Sequence, residues 1–124
     1  MSTLFPIHVA RVYDPPDVRI GATILVDRLW PRGVAKASLR LDDWPKDATP
    51  STELRKWFHA DPSRWSEFGE RYRAELARSP DALDPVLDLC RKGPVTLLTA
   101  SHDRDHNHAV VLRDYLIHLL QKEA

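Results

Sequence analysis

The segment ASHDRDHNHAVVLRDY, residues 100–115, contains three of the six histidines of the chain together with three aspartates. Imidazole can gain or lose a proton near neutral pH, donate a hydrogen bond to a developing charge and ligate a metal. The apolar spacing becomes helical from about residue 105. If Asp105 caps this helix, His106 and His108 lie in its first turn, where free backbone N–H groups favour a bound anion.

His106 and His108 are the candidate catalytic residues, and they are not equivalent. Residues two positions apart on a helix project about 200° away from each other, so the two cannot both face one ligand. His108 extends the apolar stripe of Leu112, Tyr115 and Leu119, which predicts that it points inwards and acts as the acid or base. His106 is expected to be the more solvated. The alternative for His108 is a structural histidine that bonds a backbone carbonyl.

Other chemistry in this segment has weaker support. A metal site requires His102, Asp103 and a later histidine to converge, and their spacing matches no established metal-binding pattern. Asp103 and Asp105 are more typical of helix caps than of ligands. Ser101 lacks the GxSxG turn that exposes a serine nucleophile. The leading hypothesis therefore assigns no metal ligand and names no cofactor, and a His/Asp metal-binding protein remains an alternative.

A second cluster, VDRLWPRG at residues 26–33, places two arginines around a tryptophan at the end of a predicted strand. Guanidinium is a planar fork of donors that suits carboxylate or phosphate, and an indole face can stack on a flat ring or a cation. This composition predicts binding of an anionic small molecule. The candidate ligand-binding residues are Arg28, Trp30, Arg32, Arg55 and His102.

The position of this cluster decides whether it can act together with the histidines. If the strand that carries it lies parallel to a strand at 94–100, the arginines emerge at the same sheet edge as residues 102–108. Both clusters then share one crevice. The alternative is that Asp27 or Asp42 forms an ion pair with Arg28 while Trp30 fills the core.

The elements that would position these residues follow from hydrophobic periodicity. Three β-branched and apolar stretches are typical of strands, and the last of them is apolar enough to be central and covered on both faces. Strands separated by helical stretches predict a single α/β domain over residues 1–124, with a mostly parallel sheet covered by helices. The predicted strands are 6–13, 22–30 and 94–100, and the predicted helices begin at Thr49-Pro50, Asp61-Pro62, Asp81 and Asp105.

Composition excludes several classes of protein. Lys plus Arg equals Asp plus Glu at 18 each, so the net charge provides no long-range attraction to nucleic acid or to an anionic membrane. No uncharged stretch approaches the roughly 20 residues of a membrane span, and the first residues do not resemble a signal peptide. We therefore expect a cytoplasmic protein without a membrane partner. Cys90, the only cysteine, is expected in the core.

Arginines interleaved with aromatic residues support an alternative function, a nucleic-acid-binding accessory module that stacks bases on exposed rings. The helical spacing weakens this hypothesis, because Trp65, Phe68, Tyr72 and Leu76 form one stripe typical of a core face. The four glycines of the chain form no phosphate-binding loop. The interleaved groups are Arg55 with Trp57, Arg64 with Trp65, and Arg71 and Arg73 with Tyr72.

Six motifs along the chain, RVYDPP, LVDRLWPRG, PSTELRKWF, RWxEFxERYRAEL, GPVTLL and HNHAVVL, together resemble the YeaO-like family of small bacterial proteins, a domain of unknown function (DUF488). The resemblance runs nearly the whole chain. It implies a compact α/β domain and assigns no reaction. His102 departs from the family pattern, in which a lysine is expected. The positions that match the pattern are Arg28, Trp30, Pro31, Arg32, Gly33, Arg55, His106 and His108.

Overall fold

The computed structural model describes residues 4–123, which form one three-stranded sheet with five α-helices. The strands are β1 (Ile7–Arg11), β2 (Ala22–Leu25) and β3 (Val95–Thr99). Their order is β1-β3-β2, and both pairings with β3 are parallel. The predicted α/β class with a parallel sheet is therefore confirmed.

β3 is the central strand, as its apolar composition predicts. All five of its residues are buried, and Leu97 pairs with Val9 of β1 on one side and Ile24 of β2 on the other. Its polar residues are satisfied inside the fold, since the Thr96 hydroxyl donates to the Ile20 carbonyl at 2.8 Å. A strand paired on both edges and covered on both faces holds its carboxyl end in a fixed position.

The helices begin close to the predicted prolines, with differences at the caps. The first long helix is capped by Ser51, whose Oγ accepts the Leu54 N–H at 3.2 Å, and not by Thr49. The second begins with a 3-10 turn, Pro62–Arg64, which Asp61 caps as predicted. The helices are α1 (Lys36–Leu39), α2 (Thr52–Ala60), α3 (Trp65–Arg78), α4 (Asp84–Lys92) and α5 (His108–Glu123).

The two faces of the sheet bury two different sets of side chains. Ile24, Val95 and Leu97 face the larger cluster, to which α2, α3, α4 and α5 contribute. The opposite face, with Leu25 and Leu98, is covered by α1 and the chain around it. The long helices therefore pack on one face only. Cys90 lies in the larger cluster as expected, and burial raises the pKa of its thiol to about 11.

β2 is shorter than the predicted strand at 22–30. From Asp27 onwards, hydrogen bonds of the Asp27 side chain take the place of the backbone hydrogen bonds to the neighbouring strand. The Val26 N–H still donates to the Leu98 carbonyl at 3.0 Å. One residue later the Ala100 N–H donates to the Asp27 carboxylate instead of to a strand carbonyl, at 2.8 Å. The chain then leaves the sheet, so Arg28 and Trp30 are placed by a loop and not by strand alternation. The turn at Pro31-Arg32-Gly33 is present, and Gly33 has a φ of 73°.

None of the helices in the described part of the chain combines the length and the apolar character required to cross a membrane.

Candidate functional site

A cavity of about 530 Å³ opens beyond the carboxyl ends of the strands. Its lining includes Asp27, two residues after β2, and Ala100, directly after β3. The two clusters from the sequence therefore meet at one cavity, in the crevice where parallel sheets place their ligands. All seven candidate residues line it: Arg28, Trp30, Arg32, Arg55, His102, His106 and His108.

An aspartate–histidine pair, Asp27 and His108, forms part of this lining. His108 Nε2 is 2.8 Å from Asp27 Oδ1, and both side chains are 15% exposed. The same carboxylate accepts the Thr99 hydroxyl and the Ala100 N–H, each at 2.8 Å. Burial raises the pKa of Asp27, but the hydrogen bond and charge of His108, with the Ala100 and Thr99 hydrogen bonds, hold it below the ordinary value. Asp27 is therefore a carboxylate that anchors both the end of β3 and the start of α5.

His108 faces inwards as predicted, and its partner differs from the predicted alternative. It bonds a carboxylate and not a backbone carbonyl. Its Nδ1 makes no hydrogen bond with any residue from 4 to 123. An imidazole whose one nitrogen is held by a carboxylate is oriented for proton transfer or hydrogen bonding through the other nitrogen. The geometry therefore suits an acid, a base or a donor to a bound anion.

The start of α5 differs from the prediction, because Asn107 and not Asp105 caps the helix. The Asn107 side-chain oxygen accepts the Val110 N–H at 3.1 Å. Asp103 Oδ1 instead accepts the N–H groups of Asp105 and His106, at 3.0 and 2.9 Å, and closes a turn before the helix. The prediction that His106 lies in the first helical turn is therefore wrong, and the helical projection angle does not apply to it.

His106 is exposed, as predicted, and its ring is held in place by stacking. The imidazole lies on Trp65 with the ring centroids 4.8 Å apart and the planes at 26°. Trp65 in turn stacks on Phe68 of the core. Although His106 precedes the helix, it still lines the cavity, so both candidate histidines can contact one ligand.

Replacing Asn107 with alanine should lower the free energy of unfolding by about 1 kcal/mol, because it removes the cap of α5. It also removes the amide that donates to the Asp103 carbonyl at 2.7 Å. An Asn107→Asp variant keeps the capping oxygen and should lose less. Urea denaturation of both variants beside the wild type measures the difference, and an alanine variant as stable as the wild type would contradict the capping role.

Arg28 and Arg55 lie in the lining without a protein partner. Both are half-buried, and the Nε of each is buried without a hydrogen bond. No other residue among 4–123 forms a hydrogen bond or an ion pair with either side chain. The predicted alternative, an ion pair of Arg28 with Asp27 or Asp42, is therefore wrong. Asp42 Oδ2 accepts the Thr23 N–H at 2.8 Å instead.

Trp30 combines the two roles that the sequence left open. Its indole N–H donates to the Val34 carbonyl at 2.7 Å, and its ring meets Trp44 edge to face at a centroid distance of 5.4 Å. It thus packs on the smaller core cluster while it lines the cavity. Arg32 is exposed, and its carbonyl accepts the Tyr13 hydroxyl at 3.1 Å.

His102 is exposed, with Nδ1 3.4 Å from a terminal nitrogen of Arg11. Arg11 is held by its Nε, which donates to the Ser101 carbonyl at 2.8 Å. Within residues 4–123 no three His, Cys, Asp or Glu side chains are grouped as metal ligands. The metal alternative, in which His102 and Asp103 converge with a later histidine, therefore finds no support in the geometry.

Sequence reasoning missed Asp27, Phe58 and His59 as lining residues. Asp27 follows a strand end, which is the same signal that identified Arg28. Phe58 and His59 follow Arg55 by three and four positions, so helical spacing places them on the same face of α2.

Comparison with known proteins extends the resemblance noted in the motifs. The family model described as the inactive DUF488-N3 subclade matches residues 6–124. The uncharacterized protein YeaO of Escherichia coli is 48% identical over 110 residues, which cover 89% of this chain and 96% of that protein. The uncharacterized protein Rv3073c of Mycobacterium tuberculosis is 43% identical over 110 residues, covering 89% and 92%. No solved structure matches. With nearly its whole length matched, the chain belongs to the DUF488-N3 family, in the subclade described as inactive.

Proposed function

We propose that the protein binds an anionic small molecule in the cavity, with Arg28 and Arg55 as the main contacts. The observation that carries this proposal is that both guanidinium groups are half-buried and unpartnered within residues 4–123. A buried donor without an acceptor costs roughly 1–3 kcal/mol. Such a cost is typical of functional sites, where the ligand provides the missing acceptor.

The charge balance of the lining also favours an anion. Its two carboxylates are engaged in hydrogen bonds within the protein, Asp27 with His108 and backbone, and Asp103 with two backbone N–H groups. Neither of them forms an ion pair with an arginine of the lining. The lining therefore holds three arginines against two carboxylates, and this surplus of positive charge attracts phosphate or carboxylate.

The Asp27–His108 pair has the geometry of an acid or base, and the proposal nevertheless stops at binding. The matching subclade is described as inactive, which favours a role for His108 in its doubly protonated form, with Nε2 donating to Asp27 and Nδ1 to the bound anion. His106 and His102 are proposed as exposed contacts at the edge of the site. The single buried Cys90 fits the proposed cytoplasmic location.

The nucleic-acid alternative receives less support from the placement of the aromatic rings. Tyr72 and Phe68 are buried, and Arg64 and Arg71 both lie over the Trp57 ring, at 5.0 and 4.3 Å from its centroid. A ring already covered by guanidinium groups offers little surface for a base. We therefore place this function second.

Isothermal titration calorimetry with inorganic phosphate, sulfate and acetate tests the proposed anion binding. The wild type should bind at least one of these anions, and Arg55→Met should weaken that binding at least about tenfold, since a charge-assisted pair contributes about 1.5–3 kcal/mol. Arg73→Met is the matched control, because Arg73 is exposed on α3 and does not line the cavity. Equal affinity of the wild type and Arg55→Met, or no binding of any anion, would overturn the proposal.

A further inference from the structure

We infer that the ligand is an aromatic phosphomonoester about as large as a nucleoside monophosphate. This inference rests on the proposed anion binding and adds the two features that the anion alone leaves open, its charge and the group to which it is attached. Three properties of the lining carry it: the cavity volume, the rings beside the arginines and the number of free guanidinium groups.

The volume is too large for an inorganic anion alone. At about 530 Å³ the cavity lies in the range of roughly 300–1,000 Å³ typical of sites for organic ligands. A phosphate held by Arg28 and Arg55 would fill only a small part of this space. The remainder must hold the organic part of the ligand, because apolar walls gain most when water is displaced from them.

The remaining walls favour a flat ring. Trp30 lies two residues after Arg28 and lines the cavity, whereas Phe58 of α2 is buried and stacked on Phe68, so it contributes an apolar wall and not a free face. His106 adds an exposed ring whose orientation Trp65 fixes by stacking. Trp30 and His106 are therefore the rings of the lining on which the organic part of the ligand would stack while its anion contacts the guanidinium groups.

The number of guanidinium groups favours phosphate over carboxylate. A carboxylate carries one charge, and a single arginine can satisfy both of its oxygens in a bidentate contact. The lining offers Arg28 and Arg55 without partners, and Arg32 is exposed beside them. A phosphomonoester carries about −1.5 to −2 charges and three terminal oxygens, which match two or three guanidinium groups.

This recognition does not require a glycine-rich loop, which the chain lacks. Phosphate-binding loops act through backbone N–H groups, whereas here the donors are side chains on two separate elements, the loop after β2 and α2. The phosphate would be bound by the arginines and the base by the aromatic side chains of the lining. Because different side chains contact the two halves of the ligand, mutation can affect each half separately.

Calorimetry with four probes tests the inference: adenosine monophosphate, inorganic phosphate, adenosine and benzoate. Adenosine monophosphate should bind at least about tenfold more tightly than each of the others, since a stacked base adds roughly one power of ten or more. Arg28→Met should weaken adenosine monophosphate binding at least about tenfold. Arg73→Met serves as the control, and circular dichroism checks that each variant folds.

Tryptophan fluorescence provides an independent signal for the ring. Trp30 is the tryptophan in the lining, so adenosine monophosphate should quench the emission of the wild type and leave that of Trp30→Phe unchanged. If inorganic phosphate binds as tightly as adenosine monophosphate, the inferred aromatic ring of the ligand is overturned and the proposed anion binding stands. If benzoate binds as tightly as adenosine monophosphate, the inferred phosphate group is overturned and the proposed anion binding again stands. If adenosine binds as tightly, the phosphomonoester is overturned and the titration with inorganic anions decides on anion binding, and if no probe binds, both proposals fail.

Discussion

Replacing Asp27 with alanine should lower the free energy of unfolding by about 3 kcal/mol, because one half-buried carboxylate accepts three hydrogen bonds. The variant leaves the Thr99 hydroxyl, the Ala100 N–H and His108 without their acceptor. Asp27→Asn keeps the shape and one accepting oxygen but puts a donor in place of the other, so it should be intermediate. Urea denaturation at pH 7 measures both. Asp42→Ala is the matched control, since this exposed carboxylate accepts only the Thr23 N–H, and it should cost less.

The same variant should differ from the wild type in its response to acid. The pKa of Asp27 in the folded protein lies below the ordinary value of 3.8, so the ionised form is favoured by folding. Its contribution is therefore fully present above about pH 4 and is lost as the pH falls through the lowered pKa. The difference between wild type and Asp27→Ala should shrink as the pH falls below about 4. A difference that stays the same down to about pH 2 would contradict this assignment of the charge.

The sequence was sufficient to predict the elements that meet at the site. The apolar run at 94–100 identified β3 as central, and the rule that parallel strands present their carboxyl ends at one edge placed residues 26–33 beside 102–108. The local sequence was less decisive about where each helix begins. Ser51 and Thr49 are both good caps, as are Asp103, Asp105 and Asn107, and tertiary packing selects among them.

The pairings within the site could not be predicted, because they join residues far apart in the chain. Asp27 and His108 are 81 positions apart, and nothing in the local sequence shows that Asp27, and not Arg28, would reach α5. The predicted strand at 22–30 included Arg28 and Trp30, but the Asp27 carboxylate ends the ladder before them. The absence of a partner for Arg28 and Arg55 within residues 4–123 is likewise a property of the fold and not of any motif.

Arg28→Met and Arg55→Met should each make the free protein more stable, by about 1 kcal/mol. Each substitution removes a half-buried charge that has no partner among the described residues and keeps the apolar stem. A residue with a structural role would show the opposite sign. Thermal and urea denaturation in a buffer without phosphate measures the change. A loss of stability in both variants would show that these arginines hold the fold together.

Arg19→Met is the matched control, because Arg19 also has a buried Nε without a partner but is otherwise bonded. Its terminal nitrogens donate to the carbonyls of Ser38, Leu39 and Val12, at 3.1, 3.4 and 3.4 Å. The Arg19→Met substitution should therefore lower the free energy of unfolding by about 1–2 kcal/mol. Ligand binding should reverse the order of stability of the wild type and Arg55→Met. At a free ligand concentration of about 100 times Kd, the free energy of unfolding of the wild type should rise by about 2.7 kcal/mol and that of Arg55→Met far less. A variant that is more stable when free and less stable with ligand would identify Arg55 as a residue kept for binding, because no structural role produces both signs.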